Sequence, residues 1–189
     1  FETMLVVDGE PVMSAAHLAR LETSLEAVYG LSLPARAQQV VTERASDLEL
    51  GRLRLTIAPA KAGDSESHIE VDAGELAGWP HFPERPVTLR PHQVTGGLGC
   101  HKWADRAALP TAVPGEAPLL VDGDEVLEAA WANIFAVRNG ALFTPALDGR
   151  ILPGVTRATA IELGRARGIE VFERAIPLDE LHQAEEVFL

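Results

Sequence analysis

The chain has 189 residues and a net charge of −12, with 28 acidic against 16 basic side chains. That length suits one compact domain or two small ones, and no apolar stretch approaches the ~20 residues needed to cross a bilayer. The acidic balance disfavours nucleic acid and membrane surfaces as partners. The single cysteine, Cys100, excludes an internal disulfide and favours a reducing cytoplasm.

The first residues predict a β-hairpin followed by a helix. An apolar run at 1–7 precedes Asp8-Gly9 and a second short run at 10–13, which is the pattern of two strands joined by a tight turn. Ser14 is expected to cap a helix whose leucines recur at helical spacing and which ends at Gly30.

The rest of the first half continues as helix and then strands. A second helix is expected from Pro34 to Gly51, because proline suits the first turn and glycine the end. Period-two alternation and short apolar runs then predict strands. These lie at 52–57, 67–71 and 86–90. The first half is therefore expected to be α+β.

Glycine and proline become frequent between residues 74 and 99, ending in Gly96-Gly97-Leu98-Gly99. We interpret this stretch as an interdomain joint; a phosphate-binding loop is the alternative for the glycine run, but the helix and Ser/Thr that should follow it are missing. The predicted organisation is a small N-terminal α+β domain at 1–90, a linker at 91–100 and a larger C-terminal domain at 101–189. The C-terminal end is expected to be incomplete, because the chain stops within a predicted strand.

The second half predicts antiparallel sheet, punctuated by the turn dipeptides Asp122-Gly123, Asn139-Gly140 and Asp148-Gly149. A helix is expected at 155–167, where Gly168 ends it. Strands are expected at 117–121, 125–137, 141–144, 169–174 and 187–189, with a short helix at 178–183.

Several common catalytic patterns are missing from the sequence. It contains no Gly-x-Ser-x-Gly, no His-Glu-x-x-His and no Gly-x-x-x-x-Gly-Lys-Ser/Thr. Serine hydrolases, zinc proteases and P-loop enzymes are therefore disfavoured. The six histidines are scattered without metal-ligand spacing, so no metal site is expected.

Three segments could carry chemistry. Lys102, one of two lysines, lies between Cys100-His101 and Trp103, where desolvation would make it a usable amine nucleophile; an ordinary lysine is the alternative. Glu128 lies within an apolar strand, where it needs a cation or pyridinium partner unless it faces solvent on an edge strand. Leu152-Pro-Gly-Val-Thr156 would present backbone N–H groups and a hydroxyl at a helix N-terminus, a geometry that binds phosphate.

Further segments accompany these in a fixed order along the chain. They are Phe1-Glu-Thr-Met-Leu5, His17-Leu-Ala-Arg-Leu21 with Ser24, Gly99-Cys-His-Lys102, Asp122-Gly-Asp-Glu-Val-Leu-Glu128, Ala132-Asn-Ile-Phe135, Phe143-Thr-Pro145 and Ile151-Leu-Pro-Gly-Val-Thr-Arg157. In this order they resemble the class IV aminotransferase family, the fold-type IV pyridoxal-phosphate enzymes, over nearly the whole chain. The resemblance implies an α+β fold with a small α/β sandwich domain and a larger β-barrel-like domain with helices.

The resemblance implies pyridoxal 5′-phosphate as the cofactor and assigns its ligands. Lys102 would hold it as a Schiff base and, once released, act as the general base. Glu128 would pair with the pyridine nitrogen and keep it protonated. Arg20, together with Val155 and Thr156, would bind the phosphate.

The family contains aminodeoxychorismate lyases, branched-chain aminotransferases and D-amino-acid aminotransferases. Branched-chain enzymes usually have a tyrosine soon after the lysine, whereas this run is Lys102-Trp-Ala-Asp-Arg106 and the only tyrosine is Tyr29. This run, and Ala132-Asn133 before Ile-Phe, look more like the lyases. The first hypothesis is therefore a 4-amino-4-deoxychorismate lyase of the folate pathway, which releases pyruvate and forms 4-aminobenzoate, with Thr3 as proton donor or substrate contact.

Two alternatives stay open. One is a class IV aminotransferase acting on D-amino acids or branched-chain L-amino acids, and the other is a catalytically silent binding protein of the same fold. The resemblance also implies a homodimer with the pocket near the subunit interface and a small-molecule substrate.

Overall fold

The computed structural model describes residues 1–59, 67–78, 86–111 and 113–189. The chain divides into two compact units. Unit 1 comprises Phe1–Pro83 and Lys102–Ala104, and unit 2 comprises Glu84–His101 and Asp105–Leu189. Within the described ranges no helix is long and apolar enough to cross a membrane.

Unit 1 is an antiparallel sheet with two helices on one face. Its elements are β1 (Glu2–Val7), β2 (Glu10–Pro11), α1 (Ser14–Tyr29), α2 (Ala37–Ala45), β3 (Leu50–Ala58) and β4 (His68–Glu75). The strand order is β2-β1-β3-β4. Alternate side chains of β1 and β3 pack with α1 and α2 in one core, which contains Met4, Val6, Leu18, Leu21, Leu25, Val41, Ala45, Leu53, Leu55 and Ile57. The other alternation places Thr3, Leu5 and Val7 on the face opposite the helices.

The local predictions for unit 1 are confirmed except at the start of α1 and at both ends of α2. Asp8 and Gly9 both have positive φ, 50° and 79°, as a two-residue hairpin turn requires. Gly30 ends α1 with φ 64°. The prediction that Ser14 caps α1 is wrong: Met13 takes the cap position in a left-handed conformation with no side-chain cap bond, and Ser14 is the first helical residue. The second helix is shorter than predicted and covers only α2.

Unit 2 contains two four-stranded sheets and two helices. Its elements are β5 (Thr88–Gln93), β6 (Glu116–Asp122), β7 (Glu125–Ala129), β8 (Phe135–Arg138), β9 (Ala141–Thr144), α3 (Val155–Ala166), β10 (Val171–Glu173), β11 (Ile176–Pro177), α4 (Leu178–Leu181) and β12 (Glu186–Phe188). The strand orders are β11-β7-β6-β5 and β10-β9-β8-β12. One core of this unit contains Leu119, Val121, Val126, Ile134, Ala136, Ile176 and Leu181.

The α+β class is confirmed, but unit 2 differs from the predicted meander in two ways. The pairs β5–β6 and β9–β10 are parallel, and α3 connects the second pair. The predicted strand at 125–137 is two strands, because the chain turns at an Ala129–Ala132 bridge between β7 and β8. Gly164 lets α3 approach the sheet: a Cβ there would lie 3.2 Å from Val171 Cγ2 and 3.3 Å from Leu142 Cδ1.

The predicted boundary at residue 90 and the predicted linker at 91–100 also differ from this division. β5 pairs with β6 along its whole length, so residues 88–93 belong to a sheet of unit 2. The strand was placed in the first half because a short apolar run carries no information about which distant strand it will pair with.

Candidate active site

The predicted site residues are distributed over both units. Thr3, Arg20 and Lys102 belong to unit 1, whereas Glu128, Val155 and Thr156 belong to unit 2.

Lys102 lies beside Phe1, directly before β1 in unit 1. The backbone nitrogen of Phe1 donates to the Lys102 carbonyl oxygen at 3.0 Å, and Lys102 Nζ lies 5.3 Å from the centroid of the Phe1 ring. The guanidinium carbon of Arg54 lies 3.9 Å from the same centroid. Thr3 is the cross-strand partner of Arg54. The Phe1 ring therefore contacts both the Lys102 amine and the Arg54 guanidinium, and Thr3 lies opposite Arg54 on the neighbouring strand.

Sequence reasoning missed Arg54 as a candidate. Its position in the alternating run at 52–57 identified it as pointing away from the core, which is equally true of an ordinary solvated arginine. The contact with Phe1 distinguishes the two, and that contact depends on the register between β1 and β3.

Arg20 is held by a buried carboxylate. Its Nε donates to Glu2 Oε1 at 2.8 Å and its Nη2 donates to Glu2 Oε2, while His17 Nδ1 lies 2.8 Å from Oε2. The Glu2 side chain is 1% exposed. Burial acts to raise the pKa of Glu2, but hydrogen bonds from His17 and Arg20 outweigh burial and hold that pKa below its ordinary value. A guanidinium has enough N–H donors to bind a carboxylate and a phosphate together, so the predicted phosphate role of Arg20 stays a prediction.

Glu128 is buried in β7, an interior strand of its sheet, with 7% exposure. The alternative that it faces solvent on an edge strand is therefore wrong. Asn133 Nδ2 donates to Glu128 Oε2 at 3.1 Å, and the Leu152 N–H donates to both carboxylate oxygens at 3.3 Å. Asn133 Nδ2 also donates to the Leu152 carbonyl at 2.9 Å. Amide donors thus orient the carboxylate from two directions.

Asn133 is a second residue whose role sequence reasoning missed. It lies in the segment Ala132-Asn-Ile-Phe135, which contributed to the family resemblance, but a polar residue after a turn gives no sign of its direction. The sharp turn between β7 and β8 brings it back toward Glu128.

Residues 150–154, which we call the 150–154 segment, contact the glycine run that precedes Lys102 and also contact Asn133. The Arg150 carbonyl accepts the Gly99 N–H at 3.2 Å, three residues before Lys102 in sequence. A Cβ at Gly97, whose φ is +70°, would lie 2.2 Å from that carbonyl oxygen, so the glycine run packs closely on this segment. A Cβ at Gly154 would lie 1.9 Å from Asn133 Oδ1.

Helix α3 begins directly after this segment. Gly154 takes the cap position in an extended conformation, and no side chain of the described residues caps the first turn. Val155 and Thr156 are the first two helical residues, so their N–H groups lie at the positive end of the helix, where anions bind.

These residues fit the cofactor that the resemblance implies. Unit 1 supplies a lysine amine, which suits an aldehyde, and unit 2 supplies a buried carboxylate with amide donors and a helix N-terminus without a side-chain cap, which suit a ring nitrogen and a phosphate. Within the described ranges, no group of three or more His, Cys, Asp or Glu side chains is placed to hold a metal ion.

A comparison with protein families tests the predicted resemblance. The family model for amino-transferase class IV matches residues 80–189, which is more than half of the chain. The chain belongs to the class IV aminotransferase family. The members of this family are pyridoxal-phosphate-dependent enzymes, and the resemblance predicted from the sequence is confirmed.

Individual relatives span both lyases and aminotransferases. A probable branched-chain-amino-acid aminotransferase from Staphylococcus aureus (strain N315) is 40% identical over 101 residues, which cover 48% of this chain and 28% of that protein. The structure of 4-amino-4-deoxychorismate lyase from Pseudomonas aeruginosa matches with a TM-score of 0.76 at 25% identity, covering all of this chain and 77% of that one. A hypothetical aminotransferase from Mycobacterium tuberculosis, in its PLP-bound form, matches with a TM-score of 0.77 at 24% identity over 98% of this chain and 74% of that one. These matches confirm the fold-type IV fold.

Proposed function

We propose that the protein is a pyridoxal-phosphate-dependent 4-amino-4-deoxychorismate lyase, which releases pyruvate and forms 4-aminobenzoate. The observation that carries this proposal is the guanidinium of Arg54, which lies opposite Thr3 in the same unit as Lys102. Its central carbon lies 3.9 Å from the centroid of the Phe1 ring, and Lys102 Nζ lies 5.3 Å from that centroid. A substrate with carboxylate groups is stabilised by such a guanidinium, whereas an aliphatic side chain placed there would desolvate it at a cost.

When bound, pyridoxal phosphate supplies an aldehyde that condenses with amines and a ring that accepts electrons from a neighbouring carbon. Lys102 Nζ would bind the aldehyde carbon and, once displaced by the substrate amine, take the proton from the substrate carbon next to that amine. The Thr3 hydroxyl would contact the substrate or return a proton to it.

The remaining residues would orient the cofactor. The Glu128 carboxylate, held by Asn133 and by the Leu152 N–H, would keep a proton on the ring nitrogen. Arg20 would bind the phosphate together with the N–H groups at the start of α3.

The second candidate is an aminotransferase acting on branched-chain L-amino acids or D-amino acids. The 40% identity to the Staphylococcus aureus branched-chain relative favours it. In that reaction Lys102 would move the proton from the substrate carbon to the cofactor carbon, and a keto acid would complete the cycle. A catalytically silent binding protein is disfavoured by the presence of Lys102, Glu128 and Arg20 together.

We also propose a cytoplasmic homodimer with the pocket near the subunit interface. Leu5 and Val7 are 42% and 39% exposed on the face opposite the helices of unit 1, where a second subunit would bury them. Sedimentation of the cofactor-loaded protein should give twice the chain mass. A fully active monomer would contradict the shared pocket.

The test of the lyase proposal is a paired assay on the purified full-length protein. Pyruvate release from 4-amino-4-deoxychorismate is measured beside amino transfer from D-alanine and from L-leucine to a keto acid. Faster pyruvate release supports the lyase, and faster amino transfer supports the second candidate. A colourless protein without either activity, after incubation with pyridoxal phosphate, would contradict both.

The role of Lys102 has a matched control, because Lys61 is the only other lysine in the sequence. Lys102→Ala should abolish turnover and the yellow absorbance of the lysine-bound cofactor, whereas Lys61→Ala should keep both. Borohydride reduction followed by peptide mapping should place the cofactor on Lys102. Cofactor found on Lys61 would refute the assignment.

A further inference from the structure

The first turn of α3 contains a buried cation. Arg157 is the third residue of this helix and is 4% exposed. The first turn contains no acidic residue. Helix N-termini normally favour acidic side chains, because the helix dipole places positive charge there. A buried arginine at this position therefore acts against the local preference and needs a compensating interaction.

Arg157 links this turn by hydrogen bonds to β9, which precedes α3 in sequence, and to β10, which follows it. Its Nη2 donates to the Pro145 carbonyl, just after β9, at 2.8 Å and to Glu173 Oε2, the last residue of β10, at 2.9 Å. A Cβ at Gly154 would lie 3.1 Å from the Arg157 Cβ, so the cap residue packs against it. The side chain thus fixes where the start of α3 lies relative to the parallel pair β9–β10.

The charge of Arg157 is only partly compensated by Glu173. Arg165 Nη2 donates to the other oxygen of the same carboxylate at 3.0 Å. Burial acts to raise the pKa of Glu173, but the bonds from Arg157 and Arg165 hold the pKa below its ordinary value, so the carboxylate is ionised at neutral pH. Two guanidiniums therefore share one carboxylate, which leaves positive charge beside the helix N-terminus. Arg157 Nε is also buried without a hydrogen-bond partner among the described residues, which is a cost to the folded state.

We propose that Arg157 is a positioning residue for the phosphate group of the cofactor: it fastens the first turn of α3 to β9 and β10 and adds positive charge behind the N–H groups of Val155 and Thr156. This inference rests on the proposed pyridoxal-phosphate function. It assigns to Arg157 no contact with the phosphate itself.

The test compares two ligands that differ only in the phosphate. The full-length apoprotein is titrated with pyridoxal phosphate and with pyridoxal, for the wild type, Arg157→Met, Arg157→Lys and Arg165→Met. Arg165 is the matched control, because it is on the same helix and binds the same carboxylate but is 55% exposed. Arg157→Met should bind pyridoxal phosphate about tenfold more weakly while its affinity for pyridoxal changes by less than about twofold. Arg157→Lys should recover part of that loss, and Arg165→Met should leave both affinities unchanged.

Each other result overturns the inference. Equal loss of both ligands in Arg157→Met and Arg157→Lys would make Arg157 a general structural residue, and unchanged affinities would remove it from the site. If Arg157→Met does not fold, Arg157→Lys must still show the selective loss of pyridoxal phosphate, to a smaller extent. A wild-type protein that binds pyridoxal phosphate no better than pyridoxal would contradict a phosphate site of any kind, whereas failure confined to the variants contradicts only the role of Arg157.

Discussion

Two buried carboxylates, one in each unit, are held in different ways. Glu2 in unit 1 accepts bonds from the guanidinium of Arg20 and from His17. Glu128 in unit 2 accepts bonds from the side-chain amide of Asn133 and the backbone N–H of Leu152. Charge-assisted bonds from the guanidinium and the imidazole hold Glu2 in the fold, and the amide donors set the direction of the Glu128 carboxylate. We infer that Glu2 chiefly serves stability and that the role proposed for Glu128 depends on its direction.

The largest expected effect is on the stability of unit 1. Glu2→Gln removes the charge between Arg20 and His17 and leaves a nearly buried guanidinium without its anion, which should lower the free energy of unfolding by about 3–5 kcal/mol. Urea unfolding measures this loss. Glu26→Gln, on the exposed side of α1, is the control and should change stability by no more than about 0.5 kcal/mol. Equal stability of Glu2→Gln and the wild type would refute the inference that Glu2 chiefly serves stability.

For Glu128 the expected effect is on turnover. Glu128→Gln keeps the shape of the side chain but cannot hold a proton on a ring nitrogen, so kcat should fall by about a hundredfold with little change in the midpoint of thermal unfolding. Glu186→Gln, at an exposed position of β12, is the control and should retain turnover. Near-normal turnover of Glu128→Gln would remove Glu128 from this role.

Two adjacent glycines test whether the backbone around Glu128 must stay in place. Gly96 and Gly97 both have positive φ, 74° and 70°, but a Cβ at Gly96 meets nothing within 4 Å whereas one at Gly97 would lie 2.2 Å from the Arg150 carbonyl oxygen. Gly97→Ala should therefore cost about 2 kcal/mol more stability than Gly96→Ala. It should also lower turnover, because the 150–154 segment that orients Glu128 must move. Equal effects of the two substitutions would show that the close approach does not matter.

A smaller change in the unfolding free energy is expected from a change of pH. Acid removes only part of the stability that Glu2 contributes. The folded-state pKa of Glu2 lies below the ordinary value of 4.5, so its ionised form is favoured by folding. The stability it provides is fully present above about pH 4.5 and is lost as the pH falls through the lower folded-state pKa. The difference in unfolding free energy between the wild type and Glu2→Gln should therefore shrink in acid. A difference that stays constant from pH 7 to pH 3 would contradict this assignment.

Local chemistry made much of this fold predictable. The turns Asp8-Gly9 and Asn139-Gly140 and the end of α1 at Gly30 depend on glycine, asparagine and aspartate adopting positive φ, which is decided by residues close in sequence. The parallel pairs β5–β6 and β9–β10 were not predicted, because pairing between distant strands depends on packing and not on local pattern.

The residues of the candidate site also differ in whether local sequence identifies them or only a tertiary contact does. Lys102 and Glu128 were identifiable because a charged group in apolar surroundings is costly unless it has a partner, and such groups cluster at functional sites. Arg54, Asn133 and Arg157 were not assigned roles, since each depends on a contact across strands or around a turn. The pairing of Arg20 with Glu2 joins residues 18 apart, and nothing in the sequence near either residue indicates it.

The strands β11 and β12 each supply the second neighbour of an earlier strand in unit 2, with a consequence for its synthesis. β7 gains its second neighbour only when β11 pairs with Val126 and Glu125, and β8 gains its second neighbour only when β12 pairs with Phe135–Val137. During translation both strands therefore remain edge strands until residues 176–188 have left the ribosome. Exposed edges are templates for pairing with other chains. The growing polypeptide is thus most vulnerable to aggregation just before these residues emerge, and slowing elongation before Ile176 has emerged should lower the soluble yield.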